Sequence, residues 1–131
     1  MAIPSGSGTE VLRSASLNAV NNAVSQIDWA GAVRASGNTA GTVAVPANTI
    51  VTILNIVCHI SSSAQNLSAH IDWLGGGTDI LLFYRNYTDI KINDTFVFND
   101  KIILYPGSIL EVWNSGSSCD WMVNFIYQDW S

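Results

Sequence analysis

Apolar positions recur with a period of two along most of this chain, and Gly, Pro, Asn and Asp interrupt them at short intervals. The longest run, Thr49–Ile60 (TIVTILNIVCHI), is rich in β-branched residues and apolar on both faces in places, which predicts a central strand. Ahead of it, Val43–Val45 predicts a short strand and Pro46-Ala47-Asn48 a turn. Behind it, Leu67, Ala69, Ile71 and Trp73 alternate with Ser68, His70 and Asp72, the pattern of a strand with one face buried. Further strands are predicted at Asp79–Arg85, Ile90–Ile92, Thr95–Phe98, Lys101–Tyr105 and Ile109–Trp113. In Cys119–Tyr127, Met122 and Ile126 interrupt the polar face, so both sides of this last strand are expected to be covered.

These short strands, divided by turn residues and with no helical crossover between them, predict an all-β fold. The architecture expected is an antiparallel β-sandwich, jelly-roll-like, over residues 42–131. Residues 1–41 read differently. MAIPSGSGTE carries Pro4 and paired small residues, which suit an extended arm better than a helix or a packed strand. Val11–Ile27 has Leu17, Val20, Val24 and Ile27 at helical spacing, but Asn18, Asn21 and Asn22 are poor helix formers. A short helix and an irregular strand both stay open there. Gly31–Gly41 reads as a linker.

Charge then narrows the partners. The chain has 131 residues, 48% of them hydrophobic and only 11% charged, against about a quarter charged in an ordinary soluble domain. That deficit predicts a surface partly covered by protein, because interface cores are depleted in charge. The net charge is −5, and the five basic residues are scattered. Nucleic acid is therefore not an expected partner, since binding it needs a positive stripe. No apolar run approaches the roughly 20 residues of a membrane-spanning helix, and no signal-peptide pattern opens the chain. No membrane partner is expected, and the protein is expected to work without Sec export. Cys58 and Cys119 lack metal-ligand spacing and read as buried thiols, with a disulfide as the lesser reading.

Candidate chemistry is sparse. Ser68, His70 and Asp72 share one strand face, but parallel side chains about 7 Å apart do not converge into a nucleophile, base and orienting acid. Asp72 with Asp79, and Asp94 with Asp100, are carboxylate pairs by type but flank turns, where Asp bonds its own backbone. Calcium at Asp94–Asp100 matches no loop pattern well. No catalytic, cofactor-binding or metal-ligating residue is expected, and hence no cofactor. The aromatic residues are more suggestive. Trp113, Trp121 and Trp130 are candidates for an intersubunit or glycan contact, although such rings usually serve the core.

Three strings carry a resemblance. AIPSGSGTEVLR resembles the opening of small tailed-bacteriophage virion proteins, which begin with a similar Ile-Pro-Ser-Gly-Ser-Gly-Thr-Glu-Val-Leu string. VPANTIVTILNIVCHISS is similar to a strand–turn–strand of phage particle proteins, and ILYPGSILEVWNSGS to their closing pattern. The resemblance implies a head decoration (cement) protein that binds the shell of major capsid protein and stabilises the head. It further implies a homo-oligomer, trimer favoured, placed on the capsid surface of a virion assembled in the host cytoplasm. Carried over residue by residue, the docking arm would be Ile3, Pro4, Ser5, Gly6, Ser7, Gly8, Thr9, Glu10, Val11 and Leu12. Two alternative placements are a receptor- or glycan-binding module of a tail or head fibre, and a neck protein at the head–tail junction.

Overall fold

The computed structural model describes residues 9–20, 22, 24–31, 33–35, 41–61, 65–72, 79–86, 91–116 and 119–130. Among these, ten strands form: β1 Thr9–Val20, β2 Ser25–Gln26, β3 Val33–Ala35, β4 Thr49–Ile60, β5 Leu67–Asp72, β6 Asp79–Arg85, β7 Thr95–Phe98, β8 Ile102–Leu104, β9 Ile109–Asn114 and β10 Cys119–Asp129. They build a β-sandwich. One sheet has the order β3-β1-β10-β4-β7, with β8 also paired to β4, and the other has β2-β9-β5-β6.

The two orders correspond strand for strand, since β1, β10, β4 and β7 of the first sheet connect to β2, β9, β5 and β6 of the second. The register places all four connections at one end of the sandwich: Val20 pairs with Cys119, Cys119 with Ile60, and His59 with Thr95. Antiparallel ribbons that wrap together across one end in this way give jelly-roll winding. One pair departs from the antiparallel rule, because β1 and β3 run parallel. Their connection passes through β2 in the opposite sheet, which supplies the crossover a parallel pair needs.

Where the spacing left helix and strand open, the structure has strand β1, hydrogen-bonded to β10 from Thr9 to Val20. Its Ala15, Leu17 and Val20 enter the core beside Val123, Trp121 and Cys119. Pairing along the whole length of β10 decides this over local propensity. The stretch read as arm and linker thus supplies β1, β2 and β3, and Trp29 from the same stretch packs edge-on against Phe125 at 5.0 Å.

Two bulges reconcile the strands with the core. On β4, Asn124 pairs with Asn55 and Phe125 with Ile53, which leaves Leu54 as an extra residue. Val51 and Ile53 therefore face inward together with Ile56, Cys58 and Ile60, although the spacing from 53 to 56 is odd. On β6, Leu82 is the extra residue between the pairs Ala69–Phe83 and His70–Leu81. The predicted turns carry the dihedral angles they need. Asn48 and Asn93 have φ of 57° and 67°, and Gly107 has φ of 92° in a turn closed by the Ser108 N–H donating to Tyr105 O.

Candidate functional site

The outer face of the larger sheet is a neutral band. Ser16, Met122, Val57 and Val97 align in one row across β1, β10, β4 and β7. Leu12, Ile126, Thr52 and Ile103 align in another across β1, β10, β4 and β8. Leu12 is 70% exposed, Ile103 54% and Val97 50%. Between the rows runs a polar seam in which the Ser14 hydroxyl donates to Asn124 Oδ1, and Asn124 Nδ2 donates to Asn55 Oδ1 at 2.8 Å. The seam thus pairs both amide oxygens within the sheet, which lowers the cost of covering it. Among the described residues charge is confined to the margins, with Glu10 accepting from Gln128 Nε2 at 2.9 Å at one end and Asp120 beside His59 at the other. The face is thus uncharged between its margins, with exposed aliphatic side chains on either side of the polar seam.

The smaller sheet presents an aromatic and acidic face. Trp113, Ser68 and Tyr84 align across β9, β5 and β6, so small Ser68 separates two partly exposed rings. The next row holds Gln26, Glu111, His70 and Leu81, with Gln26 Nε2 donating to Glu111 Oε2 at 3.3 Å. Carboxylate oxygens of Asp72, Asp79 and Glu111 lie within 4.8 Å of one another, and Asp72 Oδ1 is buried without a hydrogen-bond partner. Three hard oxygen donors on neighbouring strands have the composition that divalent cations take. Asp72 and Asp79 were paired by residue type in the sequence. Glu111 was not, because only the β5–β9 register brings it beside them.

The expected site residues fall into different places. Ile3, Pro4, Ser5, Gly6, Ser7 and Gly8 lie outside the described residues, as do Trp73, Tyr87 and Ile90. Thr9, Glu10, Val11 and Leu12 belong to β1. Trp113 is half-buried on the outer face of the smaller sheet, and Trp130 is half-buried after β10, its backbone N–H donating to Asn48 O at 2.8 Å. Trp121 requires a correction. It is 1% exposed, its indole N–H donates to Asn114 Oδ1 at 3.2 Å, and it stacks near Phe83. A ring so enclosed offers no surface to a glycan or a neighbouring subunit.

Asp94 has a local role, since its Oδ2 accepts the Lys91 N–H at 2.8 Å. Ser68, His70 and Asp72 do share the outer face of β5, where Ser68 sits between the two rings and Asp72 beside Asp79. His59 Nδ1 is 3.1 Å from the Thr95 hydroxyl on the adjacent strand. The neutral band was the feature least visible in the sequence. Its trace there is that, between the marginal Glu10, Gln128, Asp120 and His59, the outward positions of β1, β4 and β10 are Ser, Asn, Thr, Met and aliphatic residues.

Comparison of the chain with protein-family models, curated proteins and solved structures returned no match.

Proposed function

We propose that this chain is a structural component of a bacteriophage particle, a head decoration (cement) protein that binds the major capsid protein shell and stabilises the head. The observation that carries the reading is the uncharged outer face of the larger sheet, the kind of surface that subunits bury against one another. Burying it contributes roughly 25 cal/mol per Å² of apolar area before the costs of association. In this proposal the face joins copies of the chain into an oligomer, trimer favoured, and the segment before β1 docks on the capsid. Arms presented several at a time raise avidity without any single strong contact. The resemblance of the opening, central and closing strings to phage virion proteins supports the same reading.

Deletion of residues 1–8 tests the docking role while leaving β1 whole. The shortened chain is expected to keep its fold and its oligomeric state but to lose binding to undecorated capsids in co-sedimentation. Normal decoration by the shortened chain would remove the arm from the proposal.

A second reading is favoured by one specific observation, the Trp113–Ser68–Tyr84 row. Two rings separated by a small residue suit stacking on sugar faces, as a receptor- or glycan-binding module of a fibre would require. Saturable quenching of tryptophan fluorescence by host-surface polysaccharide, lost in Trp113→Ala, would favour this reading over the first.

A further inference from the structure

Cys58 and Cys119 belong to neither outer face. The register puts Cys58 opposite Trp121 and Cys119 opposite Ile60, so the two are diagonal neighbours on the core side of β4 and β10. Both are free, fully buried thiols. Diagonal neighbours in a sheet stand about 7–8 Å apart at Cα, slightly beyond the span of about 4.4–6.8 Å that a disulfide bridges. Closing a bond therefore draws Cys119 inward. Cys119 is the first residue of β10, beside the irregular register between Leu17 and Val20 of β1, where the ladder is least regular. We propose that Cys58 and Cys119 are an oxidation site, a dithiol that a small-molecule disulfide such as oxidised glutathione converts into an intrachain disulfide.

The neighbouring Cys119, together with burial, pushes the Cys58 thiol well above its ordinary range. Cys119, at the start of β10, gives up its proton and attacks the small disulfide, whose S–S bond breaks. A mixed disulfide forms on Cys119, and one glutathione leaves as a thiolate that takes up the proton. Cys58 then gives up its proton and displaces the second glutathione from the Cys119 sulfur. Two protein thiols are oxidised and one small disulfide is reduced to two thiols, so atoms and electrons balance. Burial makes the reaction slow in the closed fold, and it proceeds through local opening at the start of β10.

This inference is independent of where the protein works. The test is to incubate the full chain with oxidised glutathione in urea below the unfolding transition, then record intact mass and a non-reducing peptide map. The expected result is a loss of two hydrogens, a linked Cys58–Cys119 peptide pair with no retained glutathione, and full reversal by dithiothreitol. The Cys119→Ala chain should form no intrachain bond. Thiols that remain fully alkylatable, a stable glutathione adduct on either residue, or a bond joining two chains would each overturn the proposal.

Discussion

Asn114 Nδ2 donates to Gln65 Oε1 at 2.7 Å, with both side chains buried at the end of the sandwich where the four sheet-to-sheet connections gather. The pair is the centre of a polar node. Asn114 Nδ2 also reaches Val20 O at 2.9 Å and Gly116 O at 3.1 Å, while its Oδ1 accepts from Trp121. Gln65 Oε1 accepts a second bond from the Gly116 N–H at 3.0 Å, and Asn22 N–H donates to Gly116 O at 2.7 Å. Residues from the β1–β2, β4–β5 and β9–β10 connections are thereby tied together. Asn114→Leu keeps the volume but leaves Val20 O and the Trp121 indole without these bonds. It should destabilise the chain by about 2–4 kcal/mol, since each buried orphan costs about 1–3 kcal/mol. Urea denaturation measures the loss, and a change below about 1 kcal/mol would show that the node is not structural.

Gly116 is held to glycine by Gln65. A Cβ there would lie 3.0 Å from Gln65 Cδ and 3.2 Å from Oε1, so the Gln65 side chain would have to give by a few tenths of an ångström. Gly116→Ala is expected to cost about 1–3 kcal/mol, the usual range for overpacking. In a Gln65→Ala background most of that cost should disappear, because the colliding atoms are gone. A double-mutant cycle by chemical denaturation reads the coupling directly.

The β4 bulge makes an unusual deletion tolerable. Removing Leu54 brings Ile53 and Ile56 to even spacing and restores a regular ladder against Asn124 and Phe125. The shortened chain should fold with a loss of no more than about 1–2 kcal/mol. Removing Val57 instead puts Ile56 and Cys58 out of phase on the core face and is expected to prevent folding, since a one-residue slip reverses every side chain. Circular dichroism with thermal melting separates the two cases.

The neutral band predicts an association phenotype without a folding phenotype. Ile103→Lys and Val97→Lys change half-exposed outward positions, where stability effects are usually within about 0.5 kcal/mol. The paired variant should melt close to the parent chain but elute as a monomer in light-scattering chromatography, with the parent larger. A parent chain that is monomeric at high concentration would remove the band from the account.

The division between legible and illegible features has a physical basis. β4, β5, β7, β9 and β10 follow directly from alternation and turn chemistry, because Asn48, Asn93 and Gly107 mark the chain reversals they make. β1 was not legible. Leu17 and Val20 of β1 fit a helix equally well together with the following Val24 and Ile27, and only the partner strand 110 residues away, as between Ser14 and Asn124, makes β1 extended. Trp121 illustrates the same limit, since alternation places it inward but cannot say how completely the opposite sheet covers it. The acidic group needed the register of β5 against both β6 and β9 before Glu111 joined Asp72 and Asp79.

The central claim, that the chain is a building block of a phage head, is tested most directly by quantitative mass spectrometry of purified virions. Under this proposal the particles to be assayed are those of a phage carrying the gene for the chain, with the major capsid protein as the internal standard. The account predicts a copy number in fixed proportion to the capsid lattice, with the protein lost together with the shell when heads are separated from tails. Complete absence from the particle would contradict it.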